Sequence, residues 1–276
     1  MALKLMYITN KTEIARIAES AGVDRIFVDL ENIGKYERQG KLDTVQSHHT
    51  LQDITNIRKS ISKSELLVRC NPIHDKSDKY CSSEEEIDAI IKNGADIVML
   101  PYFKTVAEVE KFISYVRGRV KTMLLVETPE AVSAIDEILN LSGIDEVFIG
   151  LNDLSLGYGK KFMFELLADG TVENLCDKFN RKGLVYGFGG IASLGKGTLP
   201  SELIIKEHYR LKSSSVILSR SFCNVNLIDD LTKIKTIFEN GVRAIRDFEK
   251  QCENAKDTFS GNRQEVVKKV KEILES

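Results

Sequence analysis

The stretch TMLLVETPEAVSAIDEILNLSGIDEVFIGLNDLSLGYG, from Thr122 to Gly159, reads as strand, helix, strand. Its two apolar runs, MLLVE and VFIGLND, have the Val, Ile and Leu content of buried parallel strands, and each ends in a carboxylate. Glu127 closes the first and Asp153 the second, 26 positions later (153 − 127). A carboxylate is costly in such a run unless it is paired or binds a cation. Two of them at the ends of neighbouring strands suit one hard divalent ion, because Mg²⁺ takes one or two protein carboxylates and leaves its other positions to water and substrate. The alternative is local: Asp153 caps the following helix, and Thr128 before Pro129 starts the other one without help from Glu127.

Outward from this unit the same alternation continues. Upstream lie LKLMYIT (3–9), RIFVDLE (25–31), ELLVRC (65–70) and DIVMLP (96–101), and downstream GLVYGFGGIA (183–192) and SSVILSRSF (214–222). Helical segments are expected between them at 11–22, 50–60, 83–93, 105–118, 161–182, 200–210 and 227–252. Eight βα repeats without a linker, in a chain of 276 residues, predict a (βα)₈ barrel over 1–253, with a doubly wound sheet as the alternative. The remainder, 254–276, carries Val266, Val267, Val270, Ile273 and Leu274 at helical spacing. It is expected as an extra C-terminal helix docking on the barrel or a neighbouring subunit, or as a solvated terminus.

Composition narrows the class. Hydrophobic residues make up 42% and charged residues 29% of the chain, as in a globular protein with a sizeable core. A net charge of −2 without a long basic run argues against nucleic acid. No apolar stretch is long enough to cross a bilayer, and no signal-peptide pattern opens the chain. Five scattered cysteines fit a reducing cytoplasm.

Chemistry in such barrels gathers at the carboxyl ends of the strands. Those ends read Asp29 and Glu31, Arg69, Glu127 and Asp153. Side chains alternate along a strand, so Asp29 and Glu31 share a face, expected to be the interior. Arg69 offers a bidentate fork to a carboxylate or enolate, or forms a structural ion pair with Asp29 or Glu31. The run GFGGIASLGKG (187–197), with Gly189 and Gly190, brings backbone N–H groups close to an anion or serves tight turns, and Lys196, Ser219 and Arg220 add donors beside it. His48 and His49, in QSHHT, are either an acid–base pair of candidates near the mouth or surface residues before a Thr50 cap. Lys104 reads as helix-entry or surface charge, so metal-dependent chemistry is favoured over a lysine Schiff base.

VDLE (28–31), VRC with Arg69, LLVET (124–128) and IGLNDLSLGYG (149–159) together resemble the HpcH/HpaI aldolase and citrate lyase beta-subunit family. The resemblance implies a (βα)₈ TIM barrel of the pyruvate/phosphoenolpyruvate type. It implies a divalent ion, Mg²⁺ or else Mn²⁺ or Co²⁺, on Glu127 and Asp153. It implies carbon–carbon bond cleavage or formation beside a pyruvate-like or thioester enolate stabilised by Arg69. Substrate carboxylate would be held by the segment of Gly150, Asn152 and Asp153, and the partners would be a small 2-oxo acid or acyl thioester and further copies of the chain in a trimer or hexamer. The chain departs from the aldolase pattern at Asn32, where that branch carries a histidine, and at Leu125, where it carries glutamine. A CoA-thioester lyase or condensing enzyme is therefore the alternative activity, and a binding barrel without turnover the third.

Overall fold

In a computed structural model, residues 2–34, 49–255 and 259–275 are described. Eight parallel strands close into a barrel in chain order: β1 (Lys4–Ile8), β2 (Arg25–Asp29), β3 (Glu65–Arg69), β4 (Ile97–Leu100), β5 (Lys121–Val126), β6 (Glu146–Ile149), β7 (Val185–Ile191) and β8 (Ser215–Leu218). The ring closes by pairing of β1 with β8, which removes both sheet edges and settles the architecture as the (βα)₈ barrel, not the doubly wound sheet.

Alternation along the strands divides the core in two. Phe27, Leu67, Met99, Met123, Leu125 and Phe148 fill the barrel interior. Their neighbours Ile26, Val28, Leu66, Val68, Val98 and Leu124 pack outward under the helices. Burying each such side chain is worth about 1.5–3 kcal/mol.

The helices that follow β2, β3 and β4 are α2 (Leu51–Ser60), α3 (Ser83–Lys92) and α4 (Val106–Val116), after α1 (Thr12–Ser20) behind β1. Each of these three begins with a reciprocal capping box, formed by Thr50 with Asp53, Ser82 with Glu85 and Thr105 with Glu108. Thr128 caps α5 (Pro129–Ser133) by accepting the N–H of Ala131, as its position before proline predicts. The short α6 (Ile135–Ile138) leads to β6.

The second half of the opening stretch departs from expectation. VFIGLND does not run as a strand to Asp153: β6 stops at Ile149, and α7 (Leu151–Gly157) starts with Gly150 as its N-cap. The N–H of Leu154 donates to Gly150 O, so the chain has already turned helical there. Asp153 is the third residue of α7, where the positive end of the helix favours a carboxylate.

After α8 (Glu165–Ala168), α9 (Thr171–Arg181), α10 (Ser201–Arg210) and the long α11 (Leu231–Asn254), the chain ends in α12 (Asn262–Glu275). This last helix packs against α8 and α10 of its own barrel, burying Val266 and Val270 and leaving Val267 and Leu274 exposed. Asn262 Nδ2 donates to Glu207 Oε1 at 2.8 Å, and Arg263 Nη1 to Glu173 Oε2 at 2.8 Å. Among the described residues, no helix is long and apolar enough to cross a membrane.

Candidate active site

At the N-terminal end of the barrel the inward-facing positions are charged. Arg25 is fully buried and forks onto Glu146 at 2.7 and 2.6 Å, while its Nε donates to Glu65 at 2.8 Å. Lys121 reaches the other Glu65 oxygen at 2.6 Å. Burial opposes ionisation of Glu65, but these hydrogen bonds from Lys121 and Arg25 hold its pKa down to about 2. This floor escaped the reading of the sequence, because its members are single charges scattered at strand starts.

Charge gathers again at the C-terminal mouth. Asp29, Glu31, Glu127 and Asp153 are 2, 1, 4 and 8% exposed. Register sets Asp29 directly opposite Arg69. Arg69 Nε and Nη2 each donate to Asp29 at 2.8 Å, and its Nη1 lies 3.3 Å from Glu31 Oε2. Burial works against this guanidinium, yet the charges of Asp29, Glu31 and Glu127 hold its pKa well above the usual value. Arg69 also lines the central cavity, so the ion-pair reading and the site reading of this residue coincide; a guanidinium has five N–H donors, and two directed at Asp29 do not exhaust them.

The cavity has a volume of about 240 Å³ and lies over Met99, Leu125 and Phe148. Glu127, Gly150, Asn152, Asp153, Gly189 and Gly190 form its polar and backbone wall. Glu127 and Asp153 also line a groove of about 480 Å³ that opens outward past Tyr102, Lys104 and Leu156. The two carboxylates expected to work together therefore stand at one junction, although Asp153 arrives there from a helix. Glu127 Oε1 accepts the N–H of Tyr102 at 2.9 Å, and Asp153 Oδ1 accepts Asn152 Nδ2 at 3.2 Å. Tyr102 holds a left-handed φ of 48°, an uncommon conformation for a residue with a side chain. A Cβ on Gly150 would stand 2.8 Å from Glu127 Oε2, so glycine is what leaves that oxygen room.

The glycine-rich run serves close packing. A Cβ at Gly187 would stand 2.1 Å from Ser215 Oγ, and one at Gly189, where φ is 60°, would stand 2.9 Å from Leu151 at the start of α7. Beyond Gly190 the loop's N–H groups bond inside the protein, Ala192 to Ser201 Oγ and Gly195 to Glu202 Oε1 at 2.7 Å. A carboxylate of the chain thus takes one N–H of this loop, that of Gly195, while Gly189 and Gly190 line the cavity.

Asp29, Glu31, His49 and Arg220 do not form part of the cavity wall. Arg220 is exposed in the turn after β8. His49 Nδ1 accepts the N–H of Asp29 at 3.0 Å, which places the proton of the neutral ring on Nε2. His48 lies outside the described residues. Lys104 pairs with Glu130 at 3.1 Å at the rim of the groove, the helix-entry charge expected of it.

Two structural residues of the site were missed. Tyr102 supports Glu127 through its backbone, which no side-chain pattern reveals. Asn71 stands just past the end of β3, and its contact with Glu86 on α3 is one that no pattern in RCNPI reveals.

A closed parallel barrel whose carboxyl-end mouth gathers buried acids and a guanidinium around a cavity has the build of a (βα)₈ barrel enzyme. Residues 4–164 match the HpcH/HpaI aldolase/citrate lyase family, and the chain belongs to that family of aldolases and lyases. Among curated proteins none matches the chain. Its fold is similar to the HpcH/HpaI aldolase from Desulfitobacterium hafniense DCB-2 (17% identity over 89% of this chain and 93% of that one, TM-score 0.60). It is similar as well to an HpcH/HpaI aldolase/citrate lyase family protein from Burkholderia cenocepacia J2315 (13%, 85% and 95%, TM-score 0.62). The citrate synthase SbnG shares the fold too (15%, 85% and 94%, TM-score 0.61).

Proposed function

We propose that this protein is a divalent-metal-dependent carbon–carbon lyase acting on a 2-oxo acid, with 1–253 as its catalytic barrel. The observation that carries the reading is the wall of the central cavity: the buried carboxylates of Glu127 and Asp153 line it together with the Arg69 guanidinium, which Asp29 and Glu31 hold from beside it. Buried carboxylates at a cavity wall suit a bound cation. Glu127 and Asp153 would hold Mg²⁺, Mn²⁺ or Co²⁺. The fit rests on their shared position at the junction of cavity and groove and on the space that Gly150 leaves beside Glu127 Oε2. Among the described residues no group of three or more His, Cys, Asp or Glu is arranged to hold a metal ion.

When bound, the ion supplies Lewis acidity toward the oxygen of a developing enolate. Arg69 adds fixed positive charge at that oxygen, held in orientation by its fork on Asp29. Asn152 and the first turn of α7 meet the substrate carboxylate. The proton of the hydroxyl on the carbon that becomes the released carbonyl leaves to a base, for which Glu31, beside Arg69 but off the cavity wall, is the first candidate, and the electrons of the broken bond pass into the enolate. His49 is the weaker candidate for that base, because its Nδ1 already accepts the N–H of Asp29.

Pyruvate release from a panel of 4-hydroxy-2-oxo acids and acyl-CoA lyase substrates, with and without Mg²⁺ or Mn²⁺, tests this reading. Metal-dependent release that disappears, together with metal binding, in Glu127→Ala is the expected result. Metal-dependent turnover retained in that variant would overturn the assignment of Glu127. The groove of 480 Å³ beyond the carboxylates favours one second reading, a thioester lyase or condensing enzyme with room for a long acyl carrier. Turnover confined to the CoA esters would select it.

A further inference from the structure

The segment that carries Glu31 continues past the end of β2, yet each backbone N–H from residue 29 to residue 33 has an acceptor. Asp29 N donates to His49 Nδ1, Leu30 N to Arg69 O, and Glu31 N to Asp29 Oδ1. The next two, Asn32 N and Ile33 N, both donate to the single side-chain oxygen of Asn71, at 2.8 and 2.9 Å. Asn71 is itself held from behind. Its Nδ2 donates to Glu86 Oε1 at 2.8 Å, and its N–H lies 3.2 and 3.3 Å from the two oxygens of the same carboxylate. Glu86, on the inner face of α3, is 7% exposed and Asn71 is 6% exposed. Burial pushes the Glu86 pKa up, which is a cost the fold carries at this position.

A loop outside a strand does not require a buried acid on a helix to hold a buried amide that holds two consecutive N–H groups. The usual place for such a chain of fixed partners is behind a group whose position matters. The group in front is Glu31, one residue before Asn32, with its carboxylate 3.3 Å from Arg69 Nη1. Asn71 also follows Arg69 by two residues, so one amide side chain links the strand end bearing the guanidinium to the segment bearing the acid.

We infer that Asn71, held by Glu86, is a positioning residue that sets the Glu31 carboxylate against Arg69. The inference rests on the proposed function for the roles of Glu31 and Arg69. Asn71 touches neither substrate nor metal in this scheme. It acts by denying the 30–33 segment the freedom to carry Glu31 away from the mouth.

The test joins a measurement of the backbone to one of turnover. Amide hydrogen exchange on the full chain reads the bracket itself: Asn71→Ala is expected to speed exchange at Asn32 and Ile33 at least about tenfold and to leave Leu30 protected. Asn71→Asp keeps an oxygen for both N–H groups but faces a second carboxylate at Glu86. Asn71→Asp combined with Glu86→Gln reverses the polarity of that contact and is expected to restore both protection and rate. In steady-state pyruvate release with Mg²⁺, Asn71→Ala is expected to lower kcat about 10- to 100-fold. KM is expected to stay within about threefold, since only the reacting arrangement is disturbed. Unchanged exchange at Asn32 and Ile33 overturns the bracket, and faster exchange with unchanged kcat overturns the positioning role. Wild-type protein that releases pyruvate from no substrate of the panel removes the lyase reading and this role with it, while the exchange result still reports on the bracket alone.

Discussion

The two ends of the barrel hold the same kinds of side chain in opposite states. At the N-terminal floor, Arg25 and Lys121 answer Glu146 and Glu65 through contacts of 2.6–2.8 Å, and Lys4 stands 4.0 Å from Glu65. At the C-terminal mouth, Asp29 and Glu31 pair with Arg69, and Glu127 and Asp153 line a cavity beside it. The floor joins β2, β3, β5 and β6 through one ion cluster, with Arg25 and Glu146 buried, Glu65 partly exposed and Lys121 exposed. The mouth turns Arg69, Glu127 and Asp153 toward a central cavity. What separates the structural ion cluster from the candidate site here is place, since the cavity at the mouth lies at the carboxyl ends of the strands, where barrel chemistry gathers.

Breaking each end should therefore give a different signature. The largest effect is expected at the floor. Arg25→Ala leaves the buried Glu146 without its partner and should cost about 3–5 kcal/mol, read as a lower urea midpoint, with kcat unchanged where the protein remains folded. A combined Arg25→Met and Glu146→Leu change should recover most of that loss. At the mouth, Arg69→Lys replaces a fork by a point charge and should lower kcat by a factor of about 10²–10³ with a smaller change in melting temperature. Gly150→Ala places a methyl group against Glu127 and should weaken Mg²⁺ binding, measured by calorimetry, at a stability cost of about 1–3 kcal/mol. The smallest effect concerns pH. Glu65 titrates lower in the folded chain than in the unfolded one, so its contribution is complete above about pH 4.5 and is lost as pH falls toward 2. Glu65→Gln should flatten the acid limb of stability by on the order of 1 kcal/mol, since the side chain is partly exposed. Denaturant titrations at pH 7 and pH 3 measure it.

Most of the scaffold was legible in the amino-acid pattern, because buried parallel strands leave continuous apolar runs such as DIVMLP and turn chemistry such as the Thr50 and Thr128 caps marks where helices begin. Asp29, Glu31, Arg69 and Glu127 were legible as strand-end charges on one face. Asp153 reached the same junction by another route, since an apolar run does not reveal that Gly150 ends the strand and begins a helix. The floor and the Asn71–Glu86 pair were not legible. Both depend on which residues the strand register and the helix packing bring together across 15 to 121 positions of chain.

The closing pair of strands has a consequence for how this chain is made. Lys4 lies opposite Ser215 in the β1–β8 pairing, 211 positions away (215 − 4). At a synthesis rate of about 5–20 residues per second, β1 waits about 10–40 s for the partner that covers its second edge. Throughout that interval an apolar strand, KLMYI, offers unpaired backbone groups to any neighbouring nascent chain. The step that completes the ring is thus the one with the longest loop to close, and β8 is where substitutions should slow the appearance of native protein most.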